Sequence, residues 1–189
     1  MNRSPGFNIF DKYMKHIFHK MYLANVSNRL RELENPRVID CKRWVWELVQ
    51  NAKDSIAGNK ERTKVDIKIS VEGDSYKFSH NGSPFTMETL TALLYKYSEG
   101  KTNDSESTGR FGTGFLTTHS LSKTVKITSD LIDNEDSKIS GFSVTMYREG
   151  EDKELLDGLE KTENSFEKFP DAFGWTTYEY IAKTDANKE

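Results

Sequence analysis

The stretch Trp44–Ser55, which reads WVWELVQNAKDS, is the segment around which the fold of this chain is organised. At 3.6 residues per turn, a helix places Glu47, Asn51 and Asp54 within roughly 60° of one another. The apolar residues fall on the opposite side of that helix: Cys41, Val45, Leu48, Val49, Ala52 and Ile56. The stretch therefore predicts an amphipathic helix whose polar face is either a solvated surface or part of a site.

Composition limits the classes of protein that fit this chain. It has 189 residues, of which 35% are hydrophobic and 30% charged, and its net charge of −3 does not indicate nucleic-acid or membrane binding. A single cysteine, Cys41, excludes an intrachain disulfide and favours a reducing compartment. No apolar stretch has the length of a signal peptide core or a membrane span. We expect one cytoplasmic domain over residues 1–189, with no membrane contact.

Periodicity predicts the order of helices and strands. Apolar residues at helical spacing predict helices over residues 7–34, 37–57, 87–97 and 114–121, and a further helix around 155–159. Alternation predicts a half-buried strand over 65–71, a turn at Gly73-Asp74, a returning strand through 76–78, and strands around 125–127, 142–146 and 175–181. Residues 98–108 lack apolar periodicity and predict a mobile loop. This order predicts an α+β two-layer sandwich, with a mixed, mostly antiparallel sheet and helices on one face.

Three segments carry side chains or backbone suited to binding a nucleotide. On the polar helix face, the Asn51 carbonyl can bind a divalent ion, and Glu47 one turn earlier can deprotonate a water, while Asp54 is a supporting acceptor. His80-Asn81-Gly82-Ser83-Pro84-Phe85 follows a strand and forms a turn. Gly109-Arg110-Phe111-Gly112-Thr113-Gly114-Phe115 opens a helix, where backbone N–H groups can approach an anion.

Two common phosphate-binding motifs are excluded. Gly100-Lys101-Thr102 resembles the end of a P-loop, but Tyr95 stands where the first glycine is required. The glycine spacing of the third segment is G-x-x-G-x-G, which is not the Rossmann fingerprint, and no βαβ unit surrounds it. Each of the three segments alone is weak evidence, since solvated helix faces and glycine turns are common.

Together the three segments resemble the superfamily of gyrase, the ninety-kilodalton heat-shock chaperone, histidine kinases and MutL (GHKL ATPases). ELVQNAKDS is similar to its E-x-x-x-N-A-x-D helix, which implies Glu47 as general base and Asn51 as magnesium ligand. GRFGTGF is similar to the chaperone's glycine motif, which implies phosphate contacts from Gly112 and Gly114. Thr176 resembles the threonine of the closing strand, although Trp175 stands where a glycine is expected. The resemblance implies a Bergerat-type fold.

The second segment departs from the superfamily pattern D-x-G-x-G. His80 stands where an aspartate accepts a hydrogen bond from the adenine amino group, and Pro84 replaces the second glycine. This variant resembles a bacterial, sacsin-like branch of chaperone-type domains. A histidine accepts only when it is neutral, so with an ordinary pKa of about 6.5 we expect nucleotide affinity to fall below neutral pH. Lys101 is either a contact to the γ-phosphate or a solvated loop lysine.

The resemblance implies a function as well as a fold. We expect binding of ATP and Mg²⁺ with slow hydrolysis, closure of the loop that carries Lys101, and nucleotide-dependent contacts with a second copy or with C-terminal domains of the same chain beyond Glu189. One alternative is a nucleotide-responsive binding module without significant hydrolysis. The other is a histidine-kinase catalytic domain, although such kinases typically carry asparagine in the position of Glu47.

Overall fold

The computed structural model describes residues 5–33, 38–57, 59–60, 62–95, 113–133 and 135–181. Five α-helices lie in these ranges: α1 Pro5–Glu32, α2 Val38–Asp54, α3 Met87–Tyr95, α4 Thr113–Thr117 and α5 Asp152–Asn164. A 3₁₀ turn over Thr118–Ser120 follows α4. The strands are β1 Ile67–Glu72, β2 Ser75–His80, β3 Thr124–Ile132, β4 Ile139–Tyr147, β5 Glu167–Phe169 and β6 Thr176–Ile181.

The six strands form one sheet in the order β1-β2-β6-β3-β4-β5, and each neighbouring pair is antiparallel. A parallel bridge joins Phe85 to Leu131, so that the segment after β2 runs beside β3. The predicted α+β sandwich with a mostly antiparallel sheet is confirmed. The three-residue strand β5 was not predicted, because three residues are too few for alternation to register.

The main core lies between the sheet and α2 with α3. Leu48 and Ala52 of α2 are fully buried, and they join the buried strand residues Phe78, Ile127 and Tyr178 in one cluster. Trp44 lies near both Tyr76 and Tyr180, with ring centroids 6.3 and 6.0 Å apart. The apolar face predicted for Trp44–Ser55 thus covers the middle of the sheet, as expected of an amphipathic helix.

The prediction for β1 is wrong in one respect, although its alternation does form a strand. Ile69 and Val71 are 51% and 57% exposed, so the predicted half-buried face is largely uncovered. The reason is strand order, because β1 is the outermost strand while α2 packs over β2 and β6. The hairpin itself is as predicted, with Glu72 paired to Ser75 across the two-residue turn at Gly73 and Asp74.

A second core joins α1, α4 and α5. Its buried members are Tyr22, Val26, Leu30, Leu116, Leu155 and Leu159. The helix α5 lies close to β4, and a Cβ on Gly158 would come within 2.6 Å of the Tyr147 carbonyl oxygen. Across the described residues, no helix combines the length and the apolar character that a membrane span requires.

Candidate functional site

The site begins at Glu47, on the polar face of α2. One carboxylate oxygen, Oε1, accepts from Arg43 Nη2 at 3.1 Å, one turn earlier on the same helix. The Glu47 side chain is 20% exposed, so it is largely enclosed but still reached by solvent. The ion pair occupies one oxygen and leaves Oε2 as the one available for other chemistry.

The described end of the third segment begins α4 and meets Glu47 through Gly114. A Cβ placed on Gly114 would overlap Oε2 of Glu47, so a side chain at this position would push the carboxylate from its place. Phe115 follows, and it is buried against Tyr178, with ring centroids 5.5 Å apart. Since the Phe115 side chain is in the core, any contact of this residue with a ligand would come from its backbone.

Asn51 and Asp54 continue the polar face of α2, and both carry buried atoms without partners in the described part of the chain. Asn51 is 6% exposed, and its Nδ2 has no hydrogen-bond partner there. Asp54 accepts from Gln50 Nε2 through Oδ1 at 2.8 Å, while its Oδ2 is buried and unpartnered. Because buried polar atoms are normally hydrogen-bonded, these two atoms mark a place that a polar ligand would complete.

His80 ends β2, next to this helix. It is 3% exposed, and its ring lies at 29° to that of Tyr178, with centroids 6.2 Å apart. Its Nδ1 accepts from the Gly82 backbone N–H at 3.1 Å, so the proton of the neutral ring is on Nε2. The remaining nitrogen is then a donor, which differs from the acceptor role predicted for His80 in place of an aspartate.

The expected loss of nucleotide affinity at acid pH stays a prediction, but the structure moves it to a lower pH than the sequence predicted. Burial lowers the pKa of His80 from 6.5 to about 4, since a charged ring would lose its hydration in this enclosed position. The ring consequently stays neutral through the whole range in which the sequence alone predicted a switch.

Thr176 lies directly across from His80, as its partner in the antiparallel pairing of β2 and β6. It is buried, and its Oγ1 shares a 2.5 Å hydrogen bond with Ser129 Oγ of β3. The next residue of β3, Asp130, accepts from the backbone N–H groups of Phe173 and Gly174 at 2.6 and 2.8 Å. These two contacts fix the turn before β6. Neither Ser129 nor Asp130 was predicted to belong to the site, although an acidic residue next to a predicted strand is a signal of a polar contact.

The turn after His80 is held against the end of α2. A Cβ on Gly82 would overlap the Ser55 hydroxyl, which itself donates to the Ala52 carbonyl at 2.7 Å. Arg62 donates to the carbonyls of Asn81 and Gly82, a role that no sequence motif indicated. Four predicted residues therefore lie along one face of α2: Glu47 and Asn51 belong to the helix, and Gly82 and Gly114 lie against it. His80 and Thr176 lie at the adjoining end of the sheet.

Arg148 supports the segment that follows Gly114. It is 2% exposed and donates to His119 Nε2 at 2.9 Å and to the carbonyls of Leu93 and Leu94 at 3.0 and 2.9 Å. His119 in turn holds the Ser122 carbonyl through Nδ1 at 3.0 Å. The Arg148 side chain thus joins the end of α3 to the 3₁₀ turn after α4. Arg148 directly follows β4, and its role was not predicted.

Several predicted residues fall outside the described ranges. They are Lys101, Gly109, Arg110, Phe111 and Gly112, together with the predicted loop 98–108. Thr113 is described as the first residue of α4.

A divalent ion at this site would depend on few protein ligands. Within the described residues, no three His, Cys, Asp or Glu side chains gather as a metal-binding group. Mg²⁺ commonly takes only one or two protein ligands and completes its shell with phosphate oxygens and water. Asn51 would take such a single-ligand role through its amide oxygen, because the unpartnered Nδ2 is a hydrogen-bond donor.

Comparison with known proteins adds no further identification. No family model matches the chain, and no curated protein matches it.

Proposed function

We propose that this chain is a magnesium-dependent ATP-binding domain of the GHKL type that hydrolyses ATP slowly. The observation that supports the proposal most is the close approach of Gly114 to the Glu47 carboxylate. It brings the helix that resembles the E-x-x-x-N segment against the helix start that resembles the glycine motif. Backbone N–H groups at a helix start suit phosphate, and a carboxylate beside them suits activation of water.

Each residue has a defined part in this proposal. Asn51 would hold Mg²⁺, which would neutralise the charge of the phosphates. Glu47 would accept a proton from the attacking water through Oε2, the oxygen that Arg43 leaves free. The backbone at Gly114 would contact phosphate, and His80 and Thr176, which share one end of the sheet, would contact the base.

A nucleotide-responsive module without hydrolysis is the second candidate, and one contact favours it. The ion pair with Arg43 already engages Oε1, one of the two carboxylate oxygens of Glu47 that could accept a proton from water. In either case, the same resemblance suggests a cytoplasmic domain whose nucleotide state controls contacts with a second copy or with C-terminal domains of the same chain.

Nucleotide titration and turnover measured on matched variants test the proposal. The wild type should bind a non-hydrolysable ATP analogue in the presence of Mg²⁺ and release phosphate from ATP. Glu47→Ala should keep the affinity and lose roughly 10²- to 10⁴-fold in turnover, the usual contribution of a general base. Asn51→Ala should weaken binding itself.

Glu72→Ala, at an exposed glutamate of β1, is the control and should change neither quantity. Absence of binding by the wild type would contradict the proposal. Binding by the wild type with turnover that does not respond to Glu47→Ala would favour the module without hydrolysis.

A further inference from the structure

The protonation of His80 determines what this residue can offer a ligand. The Gly82 backbone N–H donates a hydrogen bond to Nδ1 at 3.1 Å. Nδ1 can accept this bond only if it carries no proton. A ring that is 3% exposed is costly to charge, and the lowered pKa of His80 agrees with a single ring proton at neutral pH. The proton must therefore be on Nε2, the ring nitrogen that does not accept from Gly82.

The position of His80 limits where this donor can act. The ring stacks on Tyr178, and Thr176 is the cross-strand partner of His80 on the same side of the sheet. The Thr176 hydroxyl is already hydrogen-bonded to Ser129. The turn at Gly82 lies against Ser55 and covers the Nδ1 side of the His80 ring. A planar base that enters at this end of the sheet would meet a single N–H donor of the histidine.

From this geometry we propose that His80 donates its Nε2–H to N1 of adenine, and that it does not read the 6-amino group. The inference rests on the proposed function, because it concerns the base of the bound nucleotide. Adenine presents a donor at the 6-amino group and an acceptor at N1 on the same edge. A histidine donor matches N1 and opposes the amino group, whereas an aspartate would match the amino group and oppose N1.

Two adenine analogues separate these readings. Purine riboside triphosphate lacks the 6-amino group and keeps N1, while 1-deaza-ATP keeps the amino group and replaces N1 by C–H. Affinity is measured with Mg²⁺ by competition against a fluorescent ATP analogue. For the wild type, we expect purine riboside triphosphate to bind within about threefold of ATP, and 1-deaza-ATP to bind roughly tenfold more weakly or worse.

His80→Asp should reverse this order, because an acceptor then faces the amino group. Since the residue is buried, the tautomer is also measured in the wild type by ¹⁵N NMR of the imidazole ring. Protonated Nε2 and unprotonated Nδ1 are expected, and protonated Nδ1 would overturn the inference. Equal affinities for all three nucleotides, or selective loss with purine riboside triphosphate, would also overturn it. Failure of the wild type to bind ATP at all would instead contradict the proposed function.

Discussion

Gly114 lies against the carboxylate of Glu47, so closely that a methyl group on Gly114 would overlap Oε2. The two residues belong to different helices, α4 and α2, which the chain separates by a hairpin and α3. The other oxygen of Glu47 is fixed by Arg43, so the carboxylate is oriented from both sides. This contact joins the two segments whose sequences most resemble an ATP site.

Gly114→Ala should act on activity through Glu47. The atom that would be overlapped is the end of a flexible side chain, so the carboxylate can move aside and the fold should lose under about 1 kcal/mol. Turnover should fall toward that of Glu47→Ala, and adding Gly114→Ala to Glu47→Ala should cost little more. Phosphate release and thermal unfolding of the single and double variants measure this.

Gly158→Ala is the matched glycine control. There a Cβ would meet the backbone oxygen of Tyr147, which cannot move aside, so stability should fall by roughly 1–3 kcal/mol. Turnover of the folded fraction should be kept, because the neighbour of Gly158 is Tyr147 and not Glu47. If Gly114→Ala and Glu47→Ala lowered turnover additively in the double variant, the proposed action of Gly114 through Glu47 would be contradicted.

Acid should destabilise the protein through two buried histidines. Burial lowers the pKa of His80 to about 4 and that of His119 to about 3, the latter also because of the neighbouring Arg148 cation. In the unfolded chain a histidine binds a proton near pH 6.5, so acidification below that value favours unfolding. Each histidine should contribute a slope of about 1.4 kcal/mol per pH unit.

Urea unfolding at pH 7, 6 and 5 measures these slopes. His80→Asn and His119→Asn should each flatten the dependence of the free energy of unfolding on pH. His16→Asn, at an exposed position of α1, serves as the control for loss of a histidine. A slope that is unchanged in His80→Asn would contradict the inferred burial of a neutral ring.

Asp130→Asn should loosen the turn before β6. The substitution replaces one carboxylate oxygen with an N–H₂ group, and this group would face one of the two backbone N–H donors, of Phe173 and Gly174. The substitution removes a charge-assisted hydrogen bond and leaves one backbone N–H without an acceptor. The free energy of unfolding should therefore fall by roughly 1–3 kcal/mol. Urea unfolding, with amide exchange at Phe173 and Gly174, is the measurement, and Asp171→Asn in the same turn, where the side chain is exposed, is the control.

Arg148→Met should destabilise the protein, because Arg148 hydrogen-bonds both the end of α3 and the 3₁₀ turn. It removes the donor to His119 and to the carbonyls of Leu93 and Leu94 while leaving these buried acceptors in place. Unsatisfied buried acceptors make the expected loss roughly 3 kcal/mol in urea unfolding. Lys126→Met, at an exposed position of β3, should change stability little. Equal stability of Arg148→Met and the wild type would show that these bonds contribute nothing net.

The sequence alone determined the elements and their polar faces. Helical spacing identified α2 with Glu47 and Asn51 on one side, and alternation identified both strands of the first hairpin. These predictions succeed because periodicity is a local property, in which each residue's neighbours along the chain decide which face is apolar. The helix start at Gly114 was likewise readable from its glycines.

Only the tertiary structure decided which faces are covered and what each side chain meets. Ile69 and Val71 alternate as a buried face would, but strand order places them at an exposed edge. The ring proton of His80 depends on a turn that folds the Gly82 N–H back onto it, and its lowered pKa depends on burial by other elements. Burial, proton position and the approach of Gly114 to Glu47 all depend on residues distant in sequence, and therefore no local pattern encodes them.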